Sequence, residues 1–175
     1  KTVVSACLAY KLNGEYWRFL MAVKTYTPLL SEVLTKVNNA KTKDKKIAVL
    51  KEHDSEALRM VIKSSFDPKI KWVLPEGSVP FKPNEAPEGT EHTLLSQEAR
   101  RLYHFIEGAD NQTPRMKKET MFIQMLEGLH HSEAEVVCHA KDKVLHQKYK
   151  GLSDNVVKTA FGWNDDYVRL DSVQK

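Results

Sequence analysis

The sequence predicts an all-α fold: a single helical domain of about seven helices with a long Pro/Glu/Gly-rich loop. Three observations carry that expectation. Apolar residues recur at three- and four-residue spacing in successive segments. Capping residues, glycines and prolines punctuate those segments where helices should start and stop. No stretch alternates apolar and polar residues convincingly enough to read as a strand.

The elements follow in order. Leu29, Leu30, Val33, Leu34 and Val37 mark a first helix, which Asn38-Asn39 ends. Thr42 can cap a second, carrying Ile47, Val49 and Leu50. Asp54 or Ser55 caps a third, with Leu58, Val61 and Ile62 on one face. Phe66-Asp67-Pro68 stops it, because the residue before a proline is pushed out of the helical region. A fourth runs through Leu94, Leu95, Ala99, Leu102, Phe105 and Ile106 and closes near Gly108. Thr113-Pro114 opens a fifth, cap then proline in the first turn, with Phe122, Ile123, Met125, Leu126 and Leu129 facing inward. Ser132 and Glu135 form a capping box for a sixth through Val136, Val137 and Ala140. Gly151-Leu152-Ser153 leads into a seventh, with Val156, Val157, Ala160 and Phe161.

Between the third and fourth helices, residues Pro75 to Thr90 hold four of the seven prolines and repeat Pro-Glu-Gly at Pro75 and Pro87. This reads as an extended loop, and loops of this length are usually functional or loosely ordered. The expected organisation is an N-terminal extension over 1–28, a helical domain over 29–161 and a C-terminal tail over 162–175. Met21 is a possible start, and the polar tail is expected to fray.

The chain has 175 residues, 27 Lys+Arg and 23 Asp+Glu, a net charge of +4, with 41% hydrophobic residues. That suits one domain of ordinary size, able to bury about 70% of its unfolded surface. Two cysteines, Cys7 and Cys138, make no disulfide framework and point to a reducing compartment. No apolar run approaches the roughly 20 residues of a membrane span, so no membrane partner is expected.

Charge is blocky. Residues 36–71 carry ten basic and five acidic side chains, 75–98 one and five, 100–118 five and two, and 139–158 five and two. Basic blocks separated by acidic ones create local potentials able to attract a polyanion. Three clusters sit at helix starts. The fifth helix opens with Arg115, Lys117 and Lys118, where the helix dipole disfavours cations by about 0.3–1 kcal/mol each. A bound anion would explain them, and so would plain solvation. Around the seventh helix start, Lys148, Lys150 and Lys158 surround Gly151 and the capping Ser153, a combination suited to gripping a backbone phosphate. Lys43, Lys45 and Lys46, with Lys41 before them, form the third cluster at the second helix, where a solvated face is the ordinary alternative.

Other chemistry finds little footing. His130, His131, Cys138, His139 and His146 fit no zinc spacing, so no metal or other cofactor is expected, and Cys138 reads as a buried structural thiol. Glu85, Glu88, Glu91 and His92 on the proline-rich loop could serve acid/base hydrolysis only if held in a cleft, and solvated carboxylates are the simpler reading. Alternatively the acidic loop covers the basic surface or docks on a basic partner. No Walker-type phosphate loop or nucleophile motif occurs, which argues against an enzyme with a small-molecule substrate.

Several of these residues carry a resemblance. Leu30, Val33 and Leu34, the lysine-rich Lys41 to Lys51 segment, Glu56-Ala57-Leu58-Arg59-Met60-Val61 and Phe66-Asp67-Pro68-Lys69-Ile70-Lys71-Trp72 resemble the N-terminal α-helical DNA-binding domain of phage-type ATP-dependent DNA ligases. Phe105-Ile106, the Lys117 to Leu129 and Ser132 to Lys141 helices, and Lys150-Gly151-Leu152-Ser153 match in the same order. In those ligases the corresponding glycine-then-helix element meets the DNA backbone. From Leu29 to Phe161 the chain also looks like a family of small uncharacterised proteins of tailed bacteriophages, with Leu74-Pro75-Glu76-Gly77 and Lys82 to Thr90 as its hallmark. No Lys-x-Asp-Gly adenylation motif occurs, so ligation is not implied.

Together these readings imply a non-catalytic, sequence-independent binder of double-stranded DNA. It would act in a host cytoplasm or packaged in a virion, through Lys43, Lys45, Lys46, Arg115, Lys117, Lys118, Lys148, Lys150, Gly151, Ser153 and Lys158. The alternative is a phage interaction factor or virion component that uses the acidic 75–91 loop to bind a phage or host protein.

Overall fold

The computed structural model of the protein describes residues 27–85 and 93–169. Among them, eight α-helices and one 3-10 stretch pack around a shared core, and strand-like pairing is confined to isolated bridges.

Helix α1 (Leu30–Asn39) buries Leu30, Val33, Leu34 and Val37, the predicted stripe. Helix α2 (Lys43–Glu52) is capped by Thr42, whose hydroxyl accepts from the Lys45 amide at 3.4 Å. It buries only Leu50 fully and lies between α1 and α8 (Asp154–Phe161). Helix α3 (Glu56–Phe66) takes Ser55 as its cap, accepting from Leu58 at 3.2 Å, while Asp54 pairs with Arg59 at 2.9 Å. It is the hub, touching α4 (Leu95–Glu98), α6 (His131–Lys141) and α8. Fully burying aliphatic side chains such as Leu58 and Ile62 contributes about 1.5–3 kcal/mol each.

Three expectations are corrected in detail. The fourth helix is a single α-turn, α4, that tightens into a 3-10 stretch over Ala99–Phe105. Its buried residues Ala99, Leu102 and Phe105 fall every third position, the period that eclipses in a 3-10 helix. Helix α6 begins at His131, with His130 rather than Ser132 as cap; the His130 ring accepts from the Ser132 amide at 3.3 Å. The tail does not fray through 163–169: Trp163 and Tyr167 are apolar enough to fold back, and both are buried. Gly162 makes the reversal possible, with φ +63. Helix α5 (Arg115–Gly128) starts just after Pro114, and a further short helix, α7 (Leu145–Lys148), precedes α8.

The described part of the proline-rich loop, 75–85, contains no helix. It is strapped to the bundle: Lys141 donates to the carbonyls of Pro75 at 2.8 Å and Gly77 at 3.1 Å, and the Lys82 amide donates to Glu127 at 3.3 Å. Before it, Trp72 bridges Ile106, and the Val73 amide donates to the Phe105 carbonyl at 2.9 Å.

One buried carboxylate ties the ends of three helices together. Glu133, 1% exposed on α6, accepts from the Leu30 amide at 3.0 Å and from the Leu95 amide at 2.9 Å. Neither α1 nor α4 has a side-chain cap of its own. A side chain from a third helix satisfies the first amide of each.

Candidate nucleic-acid interface

The predicted cations meet different fates. At α2, Lys43 and Lys45 are exposed and Lys46 is partly so. At α5, Lys117 is exposed, and Arg115 pairs with Glu119 one turn on at 3.1 Å. Lys118 is turned inward: it is 4% exposed and donates to the Asp110 carbonyl. A phosphate contact by Lys118 would require unburying it. Lys148 makes an exposed pair with Glu135 at 3.4 Å, and Lys150 is exposed. Lys158 is held by Asp154 at 2.7 Å and Asp165 at 3.1 Å, over the Tyr167 ring at 5.0 Å. Those hydrogen bonds raise its pKa further, and its charge is already answered within the protein.

Gly151 has an internal reason for being glycine. A Cβ there would lie 2.7 Å from both the Asn38 Cα and the Val37 carbonyl oxygen, and its amide donates to the Asn38 side chain at 3.0 Å. Its close backbone approach is to the end of α1. This contact sets the start of α8 beside the α1–α2 junction, where Lys41 and Thr42 lead into Lys43. Further along α5, Glu119 and Phe122 share a pocket with Leu74 and Pro75. Among the described residues, no hydrogen bond, ion pair or ring contact links Arg115 or Lys117 to the cluster at α8.

At the start of α8 the sequence pattern becomes a groove of about 590 Å³, bordered by Phe66, Lys143, His146, Lys150, Ser153 and Asp154. Ser153 occupies the cap position, but its exposed hydroxyl makes no capping bond. The first α8 amide with a helical partner is that of Val157, donating to the Ser153 carbonyl at 3.0 Å. No acceptor for the amides of Asp154, Asn155 and Val156 is found among the described residues. Amides left open in this way, aligned with the helix dipole, favour an anion.

The charges around the groove are mixed. Lys143 donates to the Asp67 carbonyl at 2.8 Å, and burial lowers its pKa against the pull of the Asp67 carboxylate. Asp154 lines the groove as well. Burial pushes its pKa up, but hydrogen bonds from Lys158 and Tyr167 and the Lys158 charge outweigh that and leave it lowered. Its negative charge is therefore answered by Lys158.

Lys143, His146 and Ser65 were not picked out by the sequence reading of the groove. Lys143 stood in the basic 139–158 block. Ser65 continues the buried face of Leu58 and Ile62 on α3, and a hydroxyl on an apolar stripe was the available signal. No group of His, Cys, Asp and Glu able to hold a metal ion occurs among the described residues. Burial raises the Cys138 pKa to about 11, in keeping with an inert thiol. Glu88, Glu91 and His92 lie outside the described residues. No helix among the described residues is long and apolar enough to cross a membrane.

The fold and groove define a helical domain that presents, at α8, a helix start with open amides and flanking lysines. The chain belongs to a family of unknown function, DUF6433, whose model matches residues 33–147. No curated protein and no solved structure matches it.

Proposed function

We propose that the protein binds the backbone of double-stranded DNA without reading its sequence and without catalysis. The observation that carries this reading is the open N-terminus of α8, three amides without acceptors beside exposed Lys150 and partly paired Lys148. Exposed Lys43 and Lys45, which follow the α1 end that Gly151 packs against, would extend the contact. An exposed pair such as Lys148–Glu135 is worth at most about 1 kcal/mol and yields readily to a phosphate. Lys118, Lys158 and the Gly151 amide, all engaged internally, drop out of the contact set; Arg115 and Lys117 remain as an outlying contact. The likeness to ligase DNA-binding domains supports the reading, as does the likeness to tailed-phage proteins; on that reading the protein would act in an infected host's cytoplasm or a virion.

Fluorescence anisotropy with duplex and single-stranded DNA at several salt concentrations tests it. If about five phosphates are neutralised, log affinity falls against log salt with a slope of roughly −4 to −5. Joint Lys148→Glu and Lys150→Glu substitution should abolish binding. Salt-independent affinity, or full affinity in that double variant, would refute the proposal.

A further inference from the structure

We infer that the exposed face of α5 is an interface between two copies of this chain, packed antiparallel about a two-fold axis, with Met116 of each copy seated in an apolar pocket of the other. The inference stands apart from DNA binding.

Knob and hole lie on one helix. Met116 is 81% exposed, the most exposed large hydrophobic side chain among the described residues. Seven positions on, Ile123 borders a pocket of about 170 Å³ whose apolar walls include Leu74, Val79 and Phe122. Exposed Pro75 and Pro80 border it as well, so it opens at the surface. An apolar cavity of about 150 Å³ accommodates benzene, so this one has room for a methionine side chain. Methionine is flexible and polarisable, suited to filling an irregular apolar gap. Its exposure shows that Met116 does not fill the pocket of its own chain. Two turns separate Met116 from Ile123, so they share a face, roughly 10 Å apart along the helix. A second copy turned end for end, with the axis crossing α5 near exposed Thr120, sets each Met116 beside Ile123 of the other copy.

Charge selects a second copy as the occupant. Helix α5 has no acid in its first turn and no base in its last. Exposed Arg115 and Lys117 stand at the positive end of its dipole, and exposed Glu127 stands at the negative end. Each charge is at the end its own helix disfavours. An antiparallel α5 brings its negative end and Glu127 toward Arg115 and Lys117, and symmetry makes that match twice. Near the axis, Glu119 is answered by Arg115 of its own helix at 3.1 Å. An isologous contact of this kind closes at two copies.

Sedimentation velocity on the full chain without DNA, over a rising series of concentrations, reads the assembly. The mass should climb from one chain to two and stop there. Met116→Leu should keep that behaviour, and Met116→Asp should stay at one chain throughout. At the lowest concentration, where both are single chains, Met116→Asp and the parent should melt alike, because so exposed a side chain holds little of its own fold. Mild oxidation of the double variant Met116→Cys, Ile123→Cys should trap a covalent dimer that neither single variant gives. The two introduced sulfurs cannot bond within one chain, since a disulfide needs Cα atoms within about 7 Å. A one-chain mass at every concentration, a dimer that survives Met116→Asp, or a mass that passes beyond two chains would each overturn the interface. Equal trapping in the single variants would overturn its antiparallel register.

Discussion

At the scale of single residues, Gly151 and Asp110 make the sharpest cases. Gly151 reads in the sequence as a place where a phosphate could come close; in the structure the close neighbour is the backbone of α1. Because the obstructing atoms are main chain and not a flexible tip, Gly151→Ala should cost about 1–3 kcal/mol. Urea unfolding should show a lower midpoint with an unchanged slope. Asp110 accepts from the His104 ring at 2.7 Å and from the Gln112 and Thr113 amides at 3.0 and 3.2 Å. The His104 hydrogen bond first, then those from Thr113 and the backbone, hold its carboxyl well below the ordinary carboxylate range. A depressed folded pKa gives stability that is present above the unfolded value of about 3.9 and is lost as pH falls below it. Asp110→Asn should therefore lower stability at pH 7 and flatten its decline below about pH 4, measured by denaturant titration across that range. Neither role was legible in sequence, since Gly151 meets a residue 113 positions away and the Asp110 ring partner lies across a turn.

At the scale of elements, helix existence was legible and helix capping only partly so. Thr42 and Ser55 cap α2 and α3 as local pattern demands. At α1 and α4 no local residue caps; Glu133 does so from α6. Long-range capping leaves no mark in the neighbouring sequence, and Glu133 stands inside an apparent Ser132–Glu135 capping box that draws attention elsewhere. Glu133→Ala would strand two amides at helix starts and leave a void, so it should cost more than about 3 kcal/mol. Glu133→Gln keeps one acceptor oxygen and should lose less. Calorimetric melting of the two variants provides the comparison, and equal losses would show that the pair of acceptor oxygens, not packing volume, is what Glu133 supplies. The 3-10 stretch was likewise hidden, because Leu95, Ala99 and Leu102 satisfy an α-helical spacing until Phe105 reveals the shorter period.

At the scale of the whole molecule, the lysines of the basic clusters visible in sequence meet different surroundings. Cap and charge are local properties, so all three helix starts could be found by reading along the chain. Which lysines point outward depends on partners outside their own helices: Lys118 finds the Asp110 carbonyl, and Lys158 finds Asp165 in a tail that folds back. The groove exists only because α3, α7 and α8 meet, and it draws Ser65 and Lys143 from within residues 33–147 and Lys150 and Ser153 from beyond them. A fragment limited to the family match would thus carry one wall of the groove without the other.

The carboxylate shared by α1 and α4 also bears on the order of assembly. Its two acceptor bonds span 103 and 38 residues of chain. While the protein emerges from the ribosome, the first and fourth helices must wait for the sixth to be synthesised before their leading amides are satisfied. Such dependence on remote closure slows folding and favours a late, concerted collapse over a stepwise one. Nascent chains that stop short of Glu133 would remain unlatched at both positions.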